Sequence, residues 1–169
     1  MIFAGSVSGA FAFSITGAPV VGSEVKIVEL SSGDDVSHGT GPGEANAGAA
    51  LLETIPAASV LSIDLENVDA SSLGFTGVVR FTEIRALWIR NTETSAAKVV
   101  LLGCPSGGND TTAYAAKLPG GGRFAWDDFT TGIPVTSANR YLTLTNVGTG
   151  SAVVQVGLIG LGTLIDAGA

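Results

Sequence analysis

A pattern written twice constrains this chain more than any other feature of it. Leu87-Trp88-Ile89-Arg90-Asn91 and Leu142-Thr143-Leu144-Thr145-Asn146 lie 55 positions apart. Each copy is followed by a small polar stretch, Thr92 to Ala97 and Val147 to Ala152. An apolar run ending in glycine comes next, Lys98 to Gly103 and Val153 to Gly160. Alternate residues of an extended chain face the same way, so Leu87 and Ile89 share a face, as do Leu142 and Leu144. Asn at a strand end tolerates the left-handed geometry of a turn, and both copies therefore read as β-hairpins. Together with Val154 and Val156 on the returning strand, these side chains are the expected core. Two related hairpins in one small chain predict a sandwich or barrel.

A length of 169 residues suits one domain with a substantial core. Hydrophobic residues make up 46 % before glycine is counted, and the 24 glycines raise the total to about 60 %, against roughly 45–50 % in soluble domains. Charged residues are only 14 %, against roughly 25 %. A chain so poor in charge must expose apolar or neutral surface, and the expectation is that another copy covers part of it. The net charge is −7 and no run of Lys or Arg exists. This argues against nucleic acid, which needs clustered cations, and against anionic membranes. Cys104 is the single cysteine, so no intramolecular disulfide can form, and folding in a reducing cytoplasm is compatible.

Residues 2 to 22 carry no charge. They lack a basic leader and are broken by Gly, Ser, Thr and Pro, so the segment reads as a strand or docking arm rather than a targeting peptide. Within it Phe11 to Thr16 alternates like a strand, and Thr16-Gly17-Ala18-Pro19 reads as a turn. Glu24 to Leu30 alternates charged with apolar residues, as a half-exposed strand does. Residues 31 to 50 read as one long Gly-rich loop, and Ala49 to Glu53 as a short helical turn. A strand pattern resumes at Val60 to Leu65. Val78 to Phe81 and Ile84 to Asn91 bring the first copy of the motif. Arg123 to Trp126 is a strand candidate; Ala113 to Leu118 is a short stretch before it and Gly132 to Val135 lies beyond it. Pro105 to Asp110 reads as a loop and Pro119 to Gly122 as a turn. No apolar 3.6-residue period is sustained, so helix content should be small. The expected organisation is an N-terminal strand or arm over 1–22, a β-sandwich over 23–162 and a C-terminal tail over 163–169.

Candidate chemistry is sparse. His38 is the only histidine; with Ser37 and Asp35 it could form a triad, but an imidazole on an unanchored loop is poorly placed for one. One His and one Cys cannot close a zinc site. Asp34-Asp35 and Asp127-Asp128 lack calcium-loop spacing and read as turn acids satisfying local backbone donors. Asp64, Glu66 and Asp69 bring glycosidase chemistry to mind, yet two acids on one strand face do not make a cleft, and a solvated edge is the better reading. Trp88, Trp126, Tyr114 and Tyr141 could stack sugars, although packing is the commoner use of so few aromatics. Gly120-Gly121-Gly122 lacks the Lys-Ser/Thr ending of a phosphate loop. Asn109-Asp110-Thr111 matches a glycosylation sequon that matters only after secretion. No catalytic, metal or cofactor residue is assigned.

From about Val60 onward the chain resembles small β-sandwich virion proteins encoded in the structural gene clusters of tailed bacteriophages. The resemblance is carried by Ser62 to Leu65, by Phe81-Thr82-Glu83-Ile84-Arg85-Ala86-Leu87-Trp88-Ile89-Arg90-Asn91-Thr92, by Pro119-Gly120-Gly121 with Phe124, and by Leu142 to Asn146 followed by Val153 to Gly160. It implies an antiparallel β-sandwich of jelly-roll type and a structural, non-enzymatic role, with no catalytic residues to transfer. The expected function is capsid decoration or a minor capsid protein: a homo-oligomer, a trimer by analogy, made in the host cytoplasm and bound to a major capsid protein lattice on the virion surface. A tail or host-adhesion component and a carbohydrate-binding sandwich are the alternatives, with a hydrolase more distant. The segments before Val60 have no counterpart in the resemblance. Phe3, Phe11 and Phe13 near one terminus and Leu161, Leu164 and Ile165 near the other are the candidate interface, since chain ends are normally polar.

Overall fold

The computed structural model describes residues 2–8, 10–16, 34–69, 77–103, 114–128 and 130–166, with side chains from residue 39 onward except 114, 115 and 166. Among the described residues fourteen strands follow one another: β1 (Ile2–Ser8), β2 (Ala10–Thr16), β3 (Asp34–His38), β4 (Glu44–Ala45), β5 (Ala47–Ile55), β6 (Val60–Asp64), β7 (Val68–Asp69), β8 (Gly77–Asn91), β9 (Val100–Gly103), β10 (Tyr114–Leu118), β11 (Arg123–Asp127), β12 (Ile133–Pro134), β13 (Tyr141–Asn146) and β14 (Ala152–Asp166). There is no helix among the described residues.

Two antiparallel sheets carry the fold. One runs β11-β8-β14-β5, with β12 and β7 also paired to β8; the other runs β10-β9-β13-β6. A single apolar cluster draws on both, taking Ala49, Ile55, Ile89, Val154, Val156 and Leu158 from the first and Ile63, Val100, Leu102, Leu118, Leu142 and Leu144 from the second. Leu87, Ile89, Leu142, Leu144, Val154 and Val156 are all at most 5 % exposed. Burying a side chain of this kind is worth about 1.5–3 kcal/mol each. Near the N-terminus, β1 to β4 form a further sheet in the order β2-β1-β3-β4, in which β3 and β4 are parallel.

The twice-written motif does not form hairpins. β8 and β9 lie in different sheets, and so do β13 and β14. Each copy is an arch that leaves one sheet and enters the other, and the copies pair with each other crosswise. Asn91, Ile89 and Leu87 on β8 stand opposite Val154, Val156 and Leu158 on β14. Asn146 and Leu144 on β13 stand opposite Val100 and Leu102 on β9. Local pattern cannot separate the two outcomes, because a hairpin and an arch both present alternating apolar residues around a polar turn. The difference lies in which strand completes the ladder.

The exchange extends to the flanking strands, giving an internal two-fold relation. Phe124 and Trp126 on β11 pair with Ile89 and Leu87, just as Leu61 and Ile63 on β6 pair with Leu144 and Leu142. Both incoming connections have the same turn. Gly122 N donates to Pro119 O at 2.7 Å and Ser59 N to Pro56 O at 3.3 Å, while Asn91 N donates to Gly122 O and Asn146 N to Ser59 O. The residue before each donor has positive φ, 77° at Gly121 and 54° at Ala58. Ala58 is the one non-glycine residue of that kind among those described.

At the arches, backbone groups lose their ladder partners, and a buried polar group left unpaired is costly. The two asparagines, both fully buried, restore those partners. Asn91 Nδ2 donates to Lys98 O (2.7 Å) and Leu118 O (3.1 Å), and its Oδ1 accepts from Glu93 N. Asn146 Nδ2 donates to Ile55 O (2.9 Å), Pro56 O (3.1 Å) and Gly150 O (2.9 Å), and its Oδ1 accepts from Gly148 N. Neither asparagine has positive φ, so they act through the side-chain amide and not through left-handed tolerance.

Other expectations change as well. Residues 34–38, 44–45 and 47–50 of the expected Gly-rich loop are in strands, and Ala49 to Glu53 belongs to β5 rather than a helical turn. The alternation Ala47, Ala49, Leu51 toward the cluster is β-type, which outweighs the helix propensity of alanine. The apolar C-terminal run is part of β14 through Asp166, so residues 163 to 166 are not a tail; Ile165 pairs with Val78 and Leu164 with Val79. Gly17 to Pro19, Glu24 to Leu30, Cys104 and Pro105 to Asp110 lie outside the described residues.

Two outcomes follow from the arches. Asn91→Ala and Asn146→Ala should each lower unfolding free energy by roughly 2–3 kcal/mol, since each strands two or three carbonyls at about 1 kcal/mol apiece; urea denaturation of the pair should give similar losses. Ala58→Gly should raise stability by about 1 kcal/mol, because left-handed backbone penalises a Cβ, and a melting temperature at or below that of the parent would contradict the assignment.

Candidate functional site

Where β8 meets β14 the ladder slips twice, between Ile159 and Gly160 and between Leu161 and Gly162. The slips leave Arg85 and Thr82 as extra residues on β8. Gly160 is required at the first: a Cβ there would stand 1.9 Å from Glu83 O. The bulged carbonyls are taken by the residues that follow β11 and β12, with Asp128 N donating to Arg85 O and Val135 N to Thr82 O.

The bulge aims a charged group into the protein. The Arg85 side chain is 5 % exposed and its Nε donates to Glu83 Oε1 at 2.6 Å. Nη1 donates to the carbonyls of Gly41 (2.5 Å) and Glu44, and Nη2 reaches Thr40 O. Arg85 therefore fastens the turn between β3 and β4. The Glu44 carboxylate closes the same turn by accepting from Gly41 N at 2.6 Å. A planar guanidinium holds several carbonyls at once because its donors are fixed in a fork.

A second charged group sits at the far end of the four-stranded sheet. Arg140 bonds the carboxylates of Asp64 and of Glu66 (3.0 Å) and lies 5.0 Å over the Tyr141 ring. Asp64 also accepts from Glu66 N and Asn67 Nδ2. Burial acts to raise the Asp64 pKa, but bonds from Arg140, Asn67 and Glu66 N outweigh it and hold the group below the ordinary carboxylate range. A glycosidase acid needs the opposite shift. Asp69 is exposed in β7.

The remaining candidates are dispersed. Asp35 and Ser37 occupy the same face of β3 and His38 the other, which is unlike a triad. Asp34 lies on that strand too. Asp128 accepts from Thr131 N and Thr130 N, both at 3.0 Å, and these bonds hold its pKa low; Asp127 ends β11. Trp88 and Trp126 fall on opposite faces of one sheet, since Trp126 stands opposite the core residue Leu87 and Trp88 opposite Ala125. Tyr141 is 48 % exposed at the far end of the other sheet, and Tyr114 begins β10. Trp88, Trp126 and Tyr141 form no common platform. Among the described residues no cluster of three or more His, Cys, Asp or Glu side chains is disposed to hold a metal. The Asn109 sequon lies outside the described residues.

Of the interface candidates, Leu164 is partly buried and packs against the chain's own core cluster. Leu161 is half-buried and Ile165 is 39 % exposed. Phe3 lies on β1, and Phe11 and Phe13 on β2. Sequence reading missed Leu52, Val60 and Val147, exposed by 65, 55 and 52 %. Val60 and Val147 are at neighbouring ends of β6 and β13, where the register pairs Val60 with Thr145. It also missed Arg85, whose only signal was a charge inside an apolar run. No family model, curated protein or solved structure matches this chain.

The Arg140 cluster yields a pH dependence. A carboxyl whose folded pKa is depressed adds stability that is present above its unfolded pKa, near about 3.9, and is lost as pH falls through the folded value. Asp64→Asn should therefore cost up to about 1 kcal/mol near neutral pH. Urea titrations should show the gap to the parent closing below about pH 4; a gap that is the same at both pH values would refute the assignment.

Proposed function

We propose that the chain is a non-enzymatic virion structural protein, a decoration or minor capsid protein that binds and stabilises the head lattice of a tailed bacteriophage. The proposed architecture is a β-sandwich of jelly-roll type. The observation that carries this reading is the strand order. Counting only β5, β6, β8, β9, β10, β11, β13 and β14 as first to eighth, the sheets read 6-3-8-1 and 5-4-7-2. This is the order that two interleaved Greek keys produce, and jelly rolls serve repeatedly in capsids.

Two features support an assembly role. The exposed apolar side chains Leu52, Val60, Val147 and Ile165 are spread over strand edges and ends, and such positions can make many modest contacts that add by multivalency on a lattice. The described buried polar side chains Arg85, Asn91 and Asn146 bond to backbone carbonyls, so they act in shaping the subunit. A homo-oligomer, with a trimer as the form expected by analogy, accords with the low charge content.

Jelly rolls also serve as lectin domains, and one experiment separates the readings. Heads assembled without the protein, from the phage whose genome carries the gene, should bind it saturably and resist heating better afterwards. Light scattering of the free protein should give a multiple of 16.9 kDa. A monomer that leaves such heads bare and is retained on a glycan array would overturn the capsid reading in favour of sugar binding.

A further inference from the structure

Three of the cations are matched by acids: Arg85 by Glu83, Lys98 by Glu93, and Arg140 by Asp64 and Glu66. Arg90 and Arg123 are not. They stand directly opposite each other on β8 and β11, on the face that alternation turns away from Ile89 and the core. Like charges in such a cross-strand pair repel and weaken the sheet. No carboxylate among the described residues bonds either guanidinium. Asp127 shares their face but ends β11, about 13 Å along the strand from Arg123. Arg90 Nε is buried and has no hydrogen-bond partner, so donors exceed acceptors at this corner of the sheet.

The pair is one end of a row that crosses four strands. Arg90 is opposite Gln155 on β14, and Gln155 is opposite Leu52 on the edge strand β5. At roughly 4.8 Å per strand, Arg123 and Leu52 are about 14 Å apart. Leu52 is 65 % exposed, Arg123 is exposed, and Arg90 and Gln155 are half-buried. The row therefore presents two guanidinium groups, an amide and an apolar end.

We propose that this row is a docking site for an extended acidic segment of a partner protein, which sets carboxylates on Arg123 and Arg90 and an apolar side chain on Leu52. Charge complementarity decides the class of occupant. A guanidinium can hold a carboxylate by two parallel charge-assisted bonds, and bound acids also relieve the repulsion between the arginines. A single small anion would use only one end of the row. A polyanion such as nucleic acid would be repelled by a chain whose net charge is −7. An extended segment advances about 3.3 Å per residue and turns alternate side chains to one side, so its first, third and fifth residues span about 13 Å and match the row. The site stands whether or not the chain decorates a capsid.

The probe is the peptide acetyl-Glu-Ser-Glu-Ser-Leu-amide. Titrated at low salt into the isotopically labelled full-length protein, it should shift the Nε–Hε NMR signals of Arg90 and Arg123 saturably, and about 0.5 M NaCl should abolish the shift. Arg123→Gln should weaken binding about tenfold, yet its thermal midpoint should stay at or above that of the parent because a like-charge pair is gone. Leu52→Ser should weaken binding several-fold, and the probe with both acids replaced by glutamine should not bind. The proposal is overturned if the probe gives no saturable shift, if Arg123→Gln binds it equally, or if Arg123→Gln lowers the midpoint by several degrees, which would make the arginine a structural part of the sheet. Glucuronate that binds as tightly as the peptide and is indifferent to Leu52→Ser would overturn it in favour of an acidic sugar.

Discussion

Everything in this fold depends on what happens to backbone hydrogen bonds where a strand leaves one sheet and enters the other. An arch interrupts two ladders at once, and the asparagine at the base of each arch is fully buried. Asn91 and Asn146 resolve this with one primary amide each. Its nitrogen donates to the far side of the arch and to the end of a neighbouring strand, and its oxygen caps the turn. A serine would supply one donor, and an aspartate none together with a charge. The register of Val100 and Val154 follows from these amides, since each valine stands directly opposite an asparagine.

The bulges on β8 do a second job that the arches cannot. β8 is buried on both faces from Ile84 to Ile89, where a charge in the regular pleat would meet apolar surroundings. The slip at Arg85 turns the side chain out of the pleat and toward backbone carbonyls. Glu83 neutralises it at 2.6 Å, which matters because an uncompensated buried guanidinium would cost several kcal/mol. The same slip needs Gly160 on the partner strand, so Glu83 and Arg85 on β8 and Gly160 on β14 are fixed by one geometric event.

The alternation that marks strands was legible from composition and period alone. Leu87, Ile89, Leu142, Leu144, Val154 and Val156 are buried because period-two patterning records which side of a strand faces apolar neighbours. The pairing partner of a strand was not legible. Hairpin and arch share one local signature, and the choice is made by distant residues, such as Val154 opposite Asn91. The second half of the internal relation was also present in the sequence, as Ile55-Pro56 and Leu118-Pro119 each placed four residues before the following strand. Its meaning emerges only when the turn bonds are compared. Arg85 was hidden for a different reason: a single charge in an apolar run is consistent with an exposed edge as easily as with a buried fork.

Crosswise pairing also decides when the protein can fold. During synthesis β8 and β9 emerge long before β14 and β13, which complete their ladders. Until the last fifteen-residue strand leaves the ribosome, the longest strand of the larger sheet has an open edge along its apolar length. Loop closure over such separations is slow compared with local hairpin formation. The chain therefore passes through its most adhesive stage before β14 pairs with β8, and the speed at which β14 arrives governs how much of it reaches the native state.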